Sequence, residues 1–157
     1  MICKKTCTLA AAFLGASLAT SYFVDKSNLS KDFKDSLPNE KKHIYEEITK
    51  ERKNIYFTGL TLGITISILL MLLNKNNPNS IYNLNKNQLV CAIIATTFTV
   101  CYFFYILAPK STYMVLHLDT KHQKEQWLKI YKKMQFNYHA GFVLGLVGVS
   151  ILAYGIC

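Results

Sequence analysis

Residues 54–74 read NIYFTGLTLGITISILLMLLN, twenty-one consecutive positions without Asp, Glu, Lys or Arg. A helix rises about 1.5 Å per residue, so about 20 apolar residues cross the roughly 30 Å hydrocarbon core of a bilayer. This stretch has that length. Three more uncharged runs stand in the same chain, at 6–24, 87–109 and 134–157, with 19, 23 and 24 residues. All charge is confined between them. The pattern predicts an all-α integral membrane four-helix bundle, one membrane domain over residues 1–157. Its spans are expected at about 6–24, 54–74, 88–108 and 136–156, with helical extensions of spans two and four outside the membrane at about 38–53 and 119–135.

The first run carries a second reading. Lys4 and Lys5 precede a short apolar core, and Ser17 and Ala19 offer small residues, the ingredients of a cleaved secretory signal. Against cleavage, the run stays uncharged to Val24 and ends in Tyr22-Phe23, as a span with an interfacial anchor would.

The formal net charge of +9 points to a polyanion only if it covers a surface. Here it sits in blocks. Eight Lys or Arg fall in residues 25–53 and six in 110–133, against two at the N-terminus and two in 75–86. The positive-inside rule therefore places loops 25–53 and 110–133 in the cytosol of a multi-pass protein. No nucleic-acid partner is expected, because Arg52 is the only arginine and no binding motif is present.

Aromatic residues repeat the same polarity. Tyr22 ends the first run, Tyr56 opens the second, Tyr102 and Tyr105 close the third, and Tyr138 opens the fourth. With Trp127 and Tyr131 they are expected as interfacial anchors, since rings with a polar edge favour the headgroup level. The alternative is packing inside the bundle.

Helices in lipid associate by close backbone approach, which small residues permit. Gly59, Gly63 and Ser67 fall at every fourth position in span two, and Gly141 and Gly145 do so in span four, with Gly148 following. Span one offers Ala11, Gly15 and Ala19 as well as Ala12, Ala16 and Thr20, and span three offers Cys91, Ala95 and Thr99. These stripes serve either packing within one bundle or assembly into a homo-oligomer.

Both long loops read as helices that run into their spans. Pro38 suits a first turn, and residues 39–58 contain no Gly or Pro. Asp119 or Thr120 caps a second start, after which Trp127, Tyr131, Met134 and Tyr138 share one helical face. Because the two extensions leave the same side, they are expected to pack together and to offer surfaces for protein partners beside the lipid bilayer.

Chemistry is harder to find. Cys3 and Cys7 are spaced C-x-x-x-C, Cys91 and Cys101 lie about 15 Å apart along one helix, and no C-x-x-C occurs. His43, His117, His122 and His139 lack metal-site spacing, and His139 reads as an interfacial polar residue. No ionisable Asp, Glu, Lys or Arg lies within a span, which disfavours ion or proton transport. We expect no enzyme activity, no catalytic or metal-binding residues and no cofactor.

Two segments, LPNEKKHIYEEITKERKNIYFTGLTLG (37–63) and APKSTYMVLHLDTKHQKEQWLKIYKKMQFNYHAGFVLG (108–145), resemble an uncharacterised family of small four-span proteins of nucleocytoplasmic large DNA viruses. The resemblance implies a structural or scaffold protein of a viral internal membrane, or of a host membrane used in virus assembly, and carries over no site residues. The alternatives are an accessory subunit of a larger membrane complex and a thiol-redox membrane enzyme working through Cys3 and Cys7.

Overall fold

The structure, a computed structural model, describes residues 4–25, 28–76 and 84–156. The chain is all-α, and no strand occurs among the described residues. Among the described residues five helices follow in order: α1 (Lys4–Asp25), α2 (Asn28–Asp35), α3 (Asn39–Asn76), α4 (Lys86–Leu107) and α5 (Lys121–Ile156), with one 3-10 turn at Met114–His117 before α5. Helices α3, α4 and α5 have the length and apolar composition to cross a membrane, which marks the chain as a membrane protein. In α1 the apolar stretch among the described residues is Thr8–Ser17.

The two long helices explain the architecture. At about 1.5 Å per residue, the 38 residues of α3 and the 36 of α5 reach about 57 and 54 Å. Each therefore exceeds a bilayer core by roughly 25 Å. The charged front of α3, after Pro38, passes without a break into the apolar run that begins at Asn54. The front of α5, where the Thr120 hydroxyl accepts from the Gln123 N–H at 3.2 Å, does the same.

Helix ends follow local chemistry. Asn85 caps α4: its side chain accepts from the Asn87 and Gln88 N–H groups, both at 3.0 Å, while Gln88 accepts from the Asn85 N–H at 3.2 Å. Asn74 grips Leu84 from both sides, accepting its N–H at 2.9 Å and donating to its carbonyl at 3.2 Å, so the end of α3 is tied to the entry of α4. Pro109 excludes helical geometry at Ala108, whose ψ is 133°, and α4 stops.

The apolar halves form a row rather than a closed ring: α1 packs on α5, α5 on α4, and α4 on α3. Among the described residues the outer helices α1 and α3 share no comparable contact. The close approaches fall on small residues. A Cβ on Gly63 would stand 2.8 Å from the Thr97 carbonyl oxygen, and one on Gly59 3.2 Å from the Cys101 carbonyl, so α3 and α4 meet backbone on backbone. Ser67, nearly fully buried, lies 3.1 Å from the Ile93 carbonyl and 2.9 Å from the Thr97 hydroxyl. Gly145 sits where three helices converge, under Phe98 of α4 and Ser17 of α1, and Gly148 sits under Leu14. Ser17 donates to the Gly141 carbonyl at 2.6 Å. Gly59, Gly63, Ser67, Gly145 and Gly148 thus stand at contacts between helices of one chain, and Gly141 lends its carbonyl to another.

Helix α1 corrects the sequence reading. Ala11 is exposed, and a Cβ on Gly15 would meet nothing within 4 Å. The packed face carries Ala10, Leu14 and Ser17 instead, at i, i+4 and i+7. Both sets have helical spacing. The hydroxyl of Ser17 needs an acceptor in an apolar setting, and Gly141 supplies one.

Candidate functional site: a cleft between cap and bundle

Above the apolar row, α2, the first half of α3, the 108–120 segment and the first half of α5 pack as a cap. Its core is Phe33, Leu37, Ile48, Met114, Leu118 and Ile130, with Ile44, Tyr45, Trp127 and Met134 against it. Met114 is 0% exposed and Phe33 2%. The rings of Phe33 and Trp127 lie 5.7 Å apart, and Tyr45 meets Trp127 edge-on at 6.2 Å. Tyr45 and Ser30 share a hydroxyl hydrogen bond of 2.7 Å, so the half-buried ring keeps its polar end satisfied.

Three polar latches close this cap. Lys34 of α2 reaches Glu46 of α3 at 2.6 Å, and Lys41 of α3 pairs with Asp119 just ahead of α5. Each carboxyl is held below its usual range, by the hydrogen bond from its lysine and then by that lysine's charge. The third latch holds the 108–120 segment against α3. Glu51 accepts the Ser111 N–H at 2.8 Å, while Arg52 donates to the Thr112 carbonyl at 2.7 Å and lies over the Tyr113 ring at 5.5 Å. The bond from the Ser111 backbone is the main cause that lowers the Glu51 pKa, with Arg52 and Lys110 adding charge. Lys110 donates to the Tyr105, Ile106 and Ala108 carbonyls, satisfying the end of α4. Partial burial lowers its pKa first, and the neighbouring Arg52 adds to the effect.

Between the cap and the helices below it lies a cavity of about 1960 Å³. Its wall is two-natured. Tyr56, Phe57, Tyr105, Ile106, Leu107 and Leu128 give an apolar and aromatic surface; Arg52, Lys53, Lys110, Lys121 and Lys124 give a cationic one, with Glu125 the acid among the described lining residues.

The expected anchors take overlapping roles, and Tyr105 and Tyr138 both line the cleft and join helices. Tyr56 and Tyr131 line the cleft, Tyr131 45% exposed. Tyr102, Tyr105 and Tyr138 join α4 to α5: Tyr138 stacks on Tyr102 at 5.3 Å and lies 4.7 Å from Tyr105, and Tyr102 stacks on Phe142 at 3.7 Å. His139, read as an interfacial polar residue, has its Nδ1 2.6 Å from the Tyr102 hydroxyl across the same contact. The half-buried Trp127 ring packs against Phe33 and Tyr45 at the cap core and also lines the cleft. The side chain of Tyr22 lies outside the described residues. The face expected from Trp127, Tyr131, Met134 and Tyr138 is turned slightly: Ile130, 3% exposed, packs between Trp127 and Met134.

Sequence reasoning assigned no element to residues 28–35. The available signal was Phe33 and Leu37 at i, i+4, both of which the cap core buries. Cys91 and Cys101 are buried on α4 and are in no disulfide; the side chains of Cys3, Cys7 and Cys157 lie outside the described residues. Among the described residues no three of His, Cys, Asp and Glu gather as metal ligands.

Fold and cleft together define an all-α membrane protein with a packed helical cap over an amphipathic cavity. No protein-family model matches the chain, and no curated protein and no solved structure matches it.

Proposed function

We propose that this chain is a non-enzymatic, multi-pass scaffold that carries a rigid docking platform above a membrane. The observation that carries the reading is mechanical. Two unbroken helices, α3 and α5, belong to both the cap core and the apolar row, so the platform has no hinge between it and its membrane anchor. Small-residue contacts lock the row, and the three latches lock the cap. With α1 read as a fourth span beside the three membrane-length helices, the cap would lie on the side of the two basic loops, with eight and six Lys or Arg, and the positive-inside rule favours the cytosol for that side. The outward faces of the lower helices, including Leu62, Leu69, Leu73, Val90, Phe103 and Val143, stand exposed and apolar, as lipid contact requires.

The setting we propose is a virion membrane, or a host membrane used in virus assembly, on the resemblance of residues 37–63 and 108–145. Partners would dock on the outer faces of the 38–53 and 119–135 helices, where His43, Glu47, Lys129 and Lys132 are exposed. An accessory subunit of a larger complex would use the same surfaces.

Two measurements test the reading. Membrane-impermeant labelling of single cysteines introduced at Glu47 and Lys75 should report opposite sides; equal labelling from one side overturns the topology. Photo-crosslinkers at Glu47 and Lys129 in the native membrane should trap a defined structural protein. Crosslinks to lipid alone from both positions would overturn the scaffold reading.

A further inference from the structure

The outward face of α5 changes within one turn from lysine to apolar surface, between Lys133 and Phe136. We propose that this boundary is a docking surface for anionic phospholipid, with Lys132 and Lys133 at the headgroup phosphates and Phe136 among the upper acyl chains. The inference rests on the reading of α5 as a membrane span and names the lipid that the span prefers beside it.

Three observations lead there. The first is register. Phe136, Val143 and Val147 follow at i, i+7 and i+11 and are 72%, 56% and 37% exposed, so one outward face of α5 is apolar from residue 136 downward. Lys129, Lys132 and Lys133 continue that face upward at i−7, i−4 and i−3, all three exposed. The second is uncompensated charge. Residues 126–157 contain no Asp or Glu, and neither Lys132 nor Lys133 makes an ion pair among the described residues. Elsewhere at the same level the cations are committed: Arg52 to Glu51 and the Thr112 carbonyl, Lys110 to three carbonyls at the end of α4. The third is height. At 1.5 Å per residue, Lys133 and Lys132 stand about 5 and about 6 Å above Phe136. The headgroup layer on each side of a bilayer is roughly 5–8 Å thick, so both fall inside it. Helical side chains lean toward the N-terminus, which for α5 is away from the hydrocarbon, and the lysine stems lead up to the phosphates. Lys129, about 10 Å up, stands above the layer and is left for a protein partner.

The chemistry favours one class of lipid. A zwitterionic headgroup brings a cation of its own to the lysines, whereas an anionic headgroup brings net negative charge. Each lysine at a membrane surface strengthens binding to acidic lipid roughly fivefold. A protein in the same place would have to lie within the headgroup layer and cover Phe136 as well. The field is short-ranged, falling off over a Debye length of about 8 Å at physiological salt. Lys124 and Lys121 stand about 18 and about 22 Å above Phe136, so their charge does not reach the lipid.

The experiment places a photoreactive phenylalanine analogue at Phe136 of the full chain, in phosphatidylcholine vesicles holding phosphatidylglycerol of the same acyl chains as a minor component. Flotation is scored first; a chain that does not float with the vesicles overturns the membrane reading and this proposal with it. In floating samples, irradiation attaches the analogue to acyl chains, which react alike in the two lipids. Mass spectrometry then compares the ratio of the two adducts with the ratio in the vesicles. Phosphatidylglycerol should be enriched at Phe136. The same analogue at Ile64, 46% exposed at the middle of the second expected span, should return the vesicle ratio. K132Q/K133Q should bring the adduct ratio at Phe136 down toward that of the vesicles, by roughly fivefold per lysine. Both lysines are exposed, so their loss spares the packing of α5. K121Q/K124Q removes the same charge from above the headgroups and should leave the enrichment in place. The vesicle ratio at Phe136 in the parent, or equal loss in the two variants, overturns the lipid contact while the scaffold reading stands.

Discussion

Adding one methyl group at Gly63 should push α3 away from α4, and adding the same group at Gly15 should do the opposite of harm. At Gly63 the new Cβ meets the Thr97 carbonyl oxygen at 2.8 Å and its Cα at 3.1 Å, where ordinary contact begins at 3.4 Å. Both obstacles are backbone, so no rotamer change relieves them and the helices must part by about 0.6 Å, the difference between 2.8 and 3.4 Å. Overpacking of this kind costs about 1–3 kcal/mol. Alanine returns up to about 1 kcal/mol through its better helix propensity. Gly63→Ala should therefore destabilise by about 1–2 kcal/mol. Gly15→Ala meets nothing within 4 Å, keeps the propensity gain and should stabilise by up to about 1 kcal/mol. The gap between the variants, about 2 kcal/mol, is roughly a 30-fold difference in the unfolding constant. Titration from a mild detergent into SDS, followed by far-UV circular dichroism and Trp127 fluorescence, measures it. Variants of equal stability, or a Gly63→Ala more stable than the parent, would refute the backbone-on-backbone crossing.

Other perturbations separate cap from row. Phe33→Ala removes a ring 2% exposed and should cost about 3–5 kcal/mol of cap stability; protease should then cut within 108–120 while the α3–α4 pair stays intact, and an unchanged digestion pattern would count against the cap core. Arg52→Lys loses the bond to Thr112 and the planar contact with Tyr113, about 1–2 kcal/mol together, and should raise hydrogen exchange in 109–120 selectively. Acid should loosen the cap. The pKa values of Glu46, Glu51 and Asp119 are all lowered by folding, so their stabilisation is complete above the ordinary carboxylate range of about 4 and is lost as pH falls through their lower folded values. Trp127 emission should shift reversibly in that window, and Glu51→Gln should make the shift shallower; an acid limb identical in parent and variant would rule out the Glu51 latch.

The apolar runs were legible because length without charge needs no knowledge of neighbours: NIYFTGLTLGITISILLMLLN specifies a membrane-length helix whatever it touches. Gly59, Gly63 and Ser67 were equally readable, since β-carbon-free or small surfaces at one spacing leave few uses in lipid. Which face of α1 mattered was not readable. Ala11, Gly15 and Ala19 compete with Ala10, Leu14 and Ser17 at the same spacing, and the partner that decides between them lies on the last helix. Helix α2 escaped for a related reason. Its eight residues are amphipathic but too few to stand as a helix alone, and Phe33 is buried against Trp127 and Met114, which lie far along the chain. The cleft belongs to the same category, because its cations come from α3, the 108–120 segment and α5, which no local window spans.

Ser17 and Gly141 are 124 positions apart, and between them lies nearly everything else the chain must make. At about 5–20 residues per second, α1 waits roughly 6–25 s for the surface it packs on. The α3–α4 pair can close about two thirds of the way through that interval, once Thr97 and Cys101 exist to meet Gly63 and Gly59. During the delay α1 lacks the helix it packs on, and the ring of Phe33 has no Trp127 to meet. The last helix is therefore the clasp of the molecule: a break in synthesis before Gly141 strands the first helix, and one before Trp127 leaves the cap unbuilt as well.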